Sequence, residues 1–294
     1  MTHPDWRKIL SFACEQTDLC EVKLQTNGTL LNERVVEALA SLDHKKLLIQ
    51  ISMEGASEKT HDPIRGEGTF RRAMRAIQCL FEAGMGNQIV VAFTEMHHNF
   101  GDLPLLLKLL EPFNIRSLVS GTLVCGGRAL RDQEITGPTT SQYKNLLYRY
   151  SVDPQFRESY EQFGNIAALE WYKGRAHSSQ NGCALIKNLY ITGHGRMYPC
   201  PLLQADDFSV LNVHEEALEN ALLGALPKWA ALSRISQQRP AELRPCEGCP
   251  GRVHCAGGCM GRAYSVHGEF MFPEDRCLLR RTVYSWKPPE APPE

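Results

Sequence analysis

The sequence predicts an α/β protein in which a parallel sheet with helical crossovers precedes a small cysteine-rich domain. Short aliphatic strands alternate with amphipathic helices through the first part of the chain, the pattern of strands joined by helical crossovers. After Asn181 the composition turns to Cys, Gly and Pro. Seven of the eleven cysteines lie from Cys183 onward.

The elements follow in order. "HPDWRKILSFACEQ" sets Trp6, Ile9, Leu10 and Ala13 at helical spacing, with Pro4 near the start. "EVKLQTNG" is a short strand ending in a turn, and "NERVVEALASL" a helix capped by Asn32. "KLLIQIS" is aliphatic enough for a buried strand. In "TFRRAMRAIQCLFEAG", Thr69 is the expected cap, Phe70, Ala73, Met74, Ile77 and Leu80 the apolar face, and Gly84 the stop. "NQIVVAFT" reads as a strand, "DLPLLLKLLEPF" as a helix and "IRSLVSGTLV" as a fourth strand. An open doubly wound sheet and a (β/α) barrel both fit, although four strands are few for a barrel. In either, working groups sit on loops after the strand ends. Those loops begin at Thr26-Asn27-Gly28, Ser52-Met53-Glu54, Thr94-Glu95 and Gly121 to Gly127.

"SQYKNLLYRY" and "QFRESYEQF" make the next stretch helical, a bridge. Beyond it only "HEEALENALLGAL" has the pattern of a good helix, so the last domain is expected to depend on metal to fold. The tail "WKPPEAPPE" reads as disordered. The boundaries are then 1–138 for the sheet domain, 139–180 for the bridge, 181–286 for the cysteine-rich domain and 287–294 for the tail. A formal charge of −1 argues against a nucleic-acid or acidic-membrane partner. No apolar run is long enough to span a bilayer and no export signal opens the chain, so a cytoplasmic location is expected.

In a reducing compartment, clustered cysteines read as metal ligands. "CEGCPGRVHCAGGC" spaces Cys246, Cys249, Cys255 and Cys259 as C-x2-C-x5-C-x3-C. With Cys183, Cys200 and Cys277 there are seven, too many for one tetrahedral zinc and one short of two four-cysteine sites. Two-cluster ferredoxins send the fourth cysteine of a close run to the other cluster. By that precedent Cys246, Cys249 and Cys255 join Cys277, and Cys259 crosses to Cys183 and Cys200, with a non-cysteine or open fourth position. The glycines of "CAGGC" would let the backbone turn closely around the inorganic core. A structural zinc ribbon with spare cysteines is the alternative reading of the spacing. Cys14, Cys20, Cys79 and Cys125 read as structural.

"NGCALIKNLYITGHGRMYPC", the cysteine block and Cys277 together have the form C-x11-G-x4-C, C-x2-C-x5-C-x3-C, C, with Gly195 in place. This resembles the SPASM domain of radical SAM peptide-modifying enzymes. "LQTNGTLL", "ISMEGASEKTHDPIRGEGTFRRAMRAI" and "GGRA" resemble strand ends and helices of the radical SAM core. The resemblance implies an incomplete radical SAM partial (β/α)6 barrel followed by an iron–sulfur SPASM domain, with two auxiliary 4Fe–4S clusters divided as above. It implies S-adenosylmethionine at the strand ends: Thr26, Asn27, Ser52 and Glu54 line its site, Ser52 and Glu54 near the ribose, and Arg65 meets the methionine carboxylate. A guanidinium fork suits a carboxylate, as hydroxyl and carboxylate groups suit sugar hydroxyls. Implied partners are a precursor peptide or protein substrate and a small electron donor such as flavodoxin or ferredoxin.

The sequence departs from the family at one motif. It has no C-x3-C-x2-C run to bind the cluster that cleaves S-adenosylmethionine, and Cys14 and Cys20 are no substitute. The expectation is that the family's first two strands, with that motif, lie upstream of Met1. Three functions follow from the reading. The leading one is a maturase that modifies a ribosomally made peptide, with clusters that carry an electron away from the substrate or hold it at an open iron. An anaerobic sulfatase maturase is a second, but Pro201 stands where that subfamily has a proton-accepting aspartate. The third is a non-catalytic cluster-binding or electron-relay module, favoured by the missing cysteines and disfavoured by Ser52, Glu54 and Arg65.

Overall fold

The computed structural model describes residues 1–124, 129, 134–175, 183 and 188–289. Cys125, the "GGR" of "GGRA" and the end of the tail lie outside the described residues. The chain forms two compact units, one chiefly Met1–Leu123 with Glu134–Glu170, the other chiefly Trp171–Lys287. Where the sequence suggests a bridge at 139–180, residues up to Glu170 belong to the first unit.

The first unit is a parallel sheet in the order β1-β2-β3-β4-β5. Its strands are β1 (Val22–Thr26), β2 (Leu47–Ser52), β3 (Ile89–Glu95), β4 (Ser117–Thr122) and the two-residue β5 (Gly164–Asn165). Every pairing is parallel. Sequential order with no reversal is the winding of a barrel arc; a doubly wound sheet reverses at a switch point. The short fifth strand is absent from the sequence reading, because "GN" carries no aliphatic signal and is held only by its pairing with Leu118 and Val119.

The central strands β2 and β3 are buried on both faces, as their aliphatic runs require, whereas β1 alternates between exposed and half-buried. Helices α1 (Trp6–Glu15), α2 (Glu33–Ala40), α3 (Glu58–Arg65), α4 (Thr69–Glu82) and α5 (Leu103–Leu110) accompany them. Asn32 caps α2 as expected, accepting the Val35 N–H at 3.0 Å. The cap of α4 differs from expectation. Thr69 is already helical, and it is Asp62, from α3, that accepts the N–H groups of Gly68 (2.7 Å) and Phe70 (2.8 Å). Those hydrogen bonds hold the Asp62 carboxyl below its usual range, against the desolvation that opposes them. The buried face of α4 is Ala73, Ala76, Ile77, Cys79 and Leu80. On α1 only Leu10 and Cys14 are buried, and Ile9 is 53% exposed, so the expected apolar face is only partly covered. Helices α6 (Thr140–Val152), α7 (Pro154–Phe163) and α8 (Ala167–Gly174) follow, α6 opening on a full capping box of Thr139 and Gln142.

The second unit contains a three-stranded antiparallel sheet, β6 (Tyr190–Ile191), β7 (Arg196–Tyr198) and β8 (Val210–Asn212). Gly195, with φ +81°, makes the β6–β7 turn, where a Cβ would fall 2.0 Å from Asn212 Oδ1. The expected helix at "HEEALENALLGAL" starts later and runs much further, as α9 (Leu218–Glu242), passing Pro227 and Pro240. It is followed by α10 (Arg252–Cys255), α11 (Met260–His267) and α12 (Cys277–Ser285). Met197, Leu203, Phe208, Ala221, Ala225, Trp229, Leu232 and Met260 form a buried apolar cluster, with Cys183 and Cys200 packed against it. This part of the domain therefore has an apolar core besides any metal it binds.

Candidate functional site

Two polar webs occupy the C-terminal ends of the sheet strands. In the first, Glu54 follows the end of β2 and is 1% exposed. Its Oε2 accepts the Thr94 N–H at 2.7 Å, extending the β2–β3 ladder beyond the last residue of β2. Its Oε1 accepts Arg65 Nε at 3.1 Å and Arg65 Nη2 as well. Asn99 Nδ2 ties the Glu54 and Thr94 carbonyls together at 3.0 and 2.9 Å. The Glu54 N–H donates to His61 Nδ1 at 3.0 Å, which places the ring proton on Nε2. Burial lowers the His61 pKa, and Arg65 lowers it further against the opposing pull of Asp62, so the ring is neutral. The sequence gives Glu54 and Arg65 separate ligand contacts; the structure makes them partners. Ser52 closes β2, half-buried. The Thr26 hydroxyl accepts the Gly28 N–H at 3.1 Å, and Asn27 Oδ1 accepts the N–H and hydroxyl of Thr29 at 3.1 and 2.8 Å, so both side chains shape the first strand-end turn. Gly28 has φ +78°, and a Cβ there would lie 3.3 Å from the Ala73 backbone.

The Arg65–Glu54 pair gives a measurable prediction. Arg65→Ala leaves a buried carboxylate with fewer partners and should destabilise the chain by about 2 kcal/mol, less than a fully buried pair because Arg65 is one-third exposed. A lower midpoint in urea checks it; an unchanged midpoint would show that the pair is dispensable.

The second web surrounds Glu95, which is fully buried. Ser120 Oγ donates to its Oε1 at 2.5 Å, and Thr122 Oγ1 and Tyr143 OH donate to Oε2 at 3.1 and 2.5 Å. Sequence reasoning places the β3 loop at Thr94-Glu95 but misses His61, Asn99, Ser120, Thr122 and Tyr143, because single polar residues in helices, strands and turns carry no periodic signal. A separate cavity of about 420 Å³, lined by His44, Lys45, Gln88 and Arg116 among others, sits at the opposite, N-terminal ends of the strands. That face of a barrel serves stability.

In the second unit all seven candidate cysteines are half-buried free thiols. Burial pushes the Cys200 thiol up, with Cys259 and Cys183 adding to the effect. Burial likewise raises Cys246, with Cys255 and Cys249 adding, and raises Cys277, with Cys246 and Cys249 adding. Burial raises Cys255 too, Arg280 opposing it while Glu274, Cys277 and Cys249 add. Among the main influences on these thiols, Cys200 feels Cys183 and Cys259, while Cys246, Cys255 and Cys277 feel one another or Cys249. Among the described residues no three His, Cys, Asp or Glu side chains are grouped tightly enough to hold a single metal ion. A group of several irons asks less: each thiolate binds its own iron, so the sulfurs stand further apart. The donor chemistry fits such a group, since soft thiolates select iron–sulfur clusters and protonated thiols release their protons on ligation.

The glycines of "CAGGC" also admit two neighbouring side chains. Gly257 (φ +81°) lets Arg239 approach, a Cβ there lying 2.8 Å from Arg239 Cβ, and Gly258 (φ +75°) makes room for Glu274, whose side chain would be 2.9 Å away. Glu274, 3% exposed, accepts the Cys259 N–H at 3.1 Å and faces Arg276 at 2.7 Å and Arg280 at 2.6 Å. Both guanidinium groups lie over the Trp171 ring, at 5.4 and 4.3 Å.

Residues 1–109 match the radical SAM superfamily. That stretch, a little over a third of the chain, is similar to a radical SAM domain. Such a domain implies an iron–sulfur cluster and S-adenosylmethionine as cofactors. A mycofactocin maturase MftC of Mycobacterium ulcerans (strain Agy99) is 28% identical over 277 residues, 94% of this chain and 71% of its own. An AdoMet-dependent heme synthase of Methanosarcina barkeri (strain Fusaro / DSM 804) is 25% identical over 304 residues, 95% of this chain and 80% of its own. Among solved structures, native anSMEcpe with bound AdoMet and Cp18Cys peptide superposes with a TM-score of 0.67 at 15% identity, over 90% of this chain and 73% of that one. Streptococcus suis SuiB bound to precursor peptide SuiA gives 0.67 at 15% identity, over 92% and 61%. The parallel sheet is that of radical SAM enzymes, and the cysteine-rich unit is consistent with a SPASM-like domain. No helix among the described residues is long and apolar enough to cross a membrane.

Proposed function

We propose that this chain is a radical SAM/SPASM maturase, or a part of one, that modifies a ribosomally made peptide. What supports the reading is that Cys200 is under the electrostatic influence of Cys183 and Cys259, and Cys246, Cys255 and Cys277 under that of one another or Cys249, a grouping that suits two auxiliary 4Fe–4S clusters. The domains are the radical SAM core, residues to about Glu170 as the sheet unit is built, and the auxiliary-cluster domain after it. When bound, the clusters supply one-electron chemistry for the substrate. This chain's own residues do the holding. Arg65, braced by Glu54, meets the carboxylate of S-adenosylmethionine. Ser52, Thr26 and Asn27 lie at the strand ends beside it, and Glu54 acts by positioning Arg65 and closing the β2–β3 ladder. A flavodoxin or ferredoxin is the matching electron donor.

A non-peptide substrate is the second reading, because the heme synthase relative is nearly as similar as the maturase. The peptide reading is preferred because two matched structures hold peptides. Panning the anaerobically reconstituted chain against a displayed library of short peptides should enrich a consensus sequence. No enrichment, together with a Soret shift on titration with a porphyrin, would overturn the peptide assignment.

A further inference from the structure

We propose that Arg239 is a cation shared by the two cysteine sets, donating hydrogen bonds to the clusters they hold and raising their reduction potentials. The inference rests on the cluster assignment above. Arg239 lies on α9 and is fully buried. Its Nη2 donates to the Gly257 carbonyl at 2.6 Å, but Nε and Nη1, also buried, have no partner among the described residues. A buried charge with unpaired donors is costly unless a counter-charge is supplied. Glu274 acts on Arg239 electrostatically, but its carboxylate is already engaged by Arg276, Arg280 and the Cys259 N–H. Among the described residues, Arg239 therefore has two free donors and no anion hydrogen-bonded to them.

The position of the guanidinium says what receives them. Gly257 stands between Cys255, of the four-thiol set, and Cys259, of the three-thiol set, so the Arg239–Gly257 bond pins the charge at the junction of the two. Electrostatically it acts on Cys183 and Cys259 from one set and on Cys246 from the other. The loop is shaped to this residue, since a side chain at Gly257 would collide with it. An iron–sulfur group with thiolate ligands is anionic, and its reduction adds a further electron. An adjacent buried cation stabilises the reduced form more than the oxidised one, and hydrogen bonds to the sulfurs act in the same direction.

The test compares the wild-type chain with Arg239→Gln and Arg239→Lys, each reconstituted without oxygen. Iron and sulfide are counted first, then the clusters are titrated potentiometrically and read by electron paramagnetic resonance. Arg239→Gln should shift the reduction equilibrium of at least one cluster about tenfold towards the oxidised form, a drop of ~59 mV for a one-electron couple. Arg239→Lys should keep its iron and stay near the wild-type potentials. Clusters intact in Arg239→Gln at unchanged potentials would overturn this inference alone. A wild-type chain without iron and sulfide would overturn the cluster assignment and this inference with it. If the glutamine variant loses its iron, the lysine variant decides: wild-type iron and potentials sustain a role for charge, and loss of iron there too makes Arg239 purely structural.

Discussion

Cys249→Ala is expected to remove about half of the bound iron, roughly four of eight atoms per chain, and to loosen only part of the second unit. Cys249 belongs to the four-thiol set with Cys246, Cys255 and Cys277, and its loss leaves three ligands for a cluster that uses four. The segment carrying that set, from the end of α9 to α12, has few large buried apolar side chains, Leu243, Leu279, Val283 and Tyr284 besides the Met260 that joins the neighbouring core. Its folding energy is expected to come from metal ligation and from the Glu274–Arg276–Arg280 network. The neighbouring part is different. β7, β8, α9 and the first residue of α11 share a packed core around Trp229, so that part should survive. Limited proteolysis under anaerobic conditions should give new cuts between Cys246 and Cys277 while the stretch from Tyr190 to Glu242 stays resistant. A variant that resists cleavage throughout would show that ligation does not support this region. Cys200→Ala provides the contrast, because Cys200 packs against the core and its loss should leave most of the unit resistant.

The second large effect is a division between binding and chemistry. Reconstituted without oxygen, the 294-residue chain should hold two 4Fe–4S clusters, roughly eight irons with matching sulfide, and no third. Cys14, Cys20 and Cys79 are not placed to build another, since Cys14 and Cys79 are buried on separate helices, α1 and α4. Given dithionite and S-adenosylmethionine, this chain should form no 5′-deoxyadenosine, because its sequence has no C-x3-C-x2-C set to carry the reducing cluster. Weak binding of S-adenosylmethionine through Arg65 is still expected, as it needs no iron. Zinc at one or two equivalents without sulfide would overturn the cluster assignment. Production of 5′-deoxyadenosine by this chain alone would overturn its dependence on a missing motif.

The sequence by itself determined the parallel α/β class, the strands β1 to β4 and the seven thiols. Aliphatic runs, caps such as Asn32 and cysteine spacing are local signals, and each states its role within a few residues. Tertiary structure decided what depends on distant partners. The fifth strand exists only because β4 offers it an edge. Helix α9 continues through Pro227 and Pro240 because Ala221, Ala225, Trp229, Leu232, Ser236 and Arg239 recur every three or four residues and bury one face. That burial outweighs the hydrogen bonds the prolines remove. Asp62 takes the capping role expected of Thr69 because the turn from α3 brings its carboxylate under the first N–H groups of α4. Glu54 and Arg65 read as two ligand contacts in the sequence, eleven residues apart. Folding turns them into one ion pair, since a carboxylate buried at a strand end needs a cation and the adjacent helix supplies it.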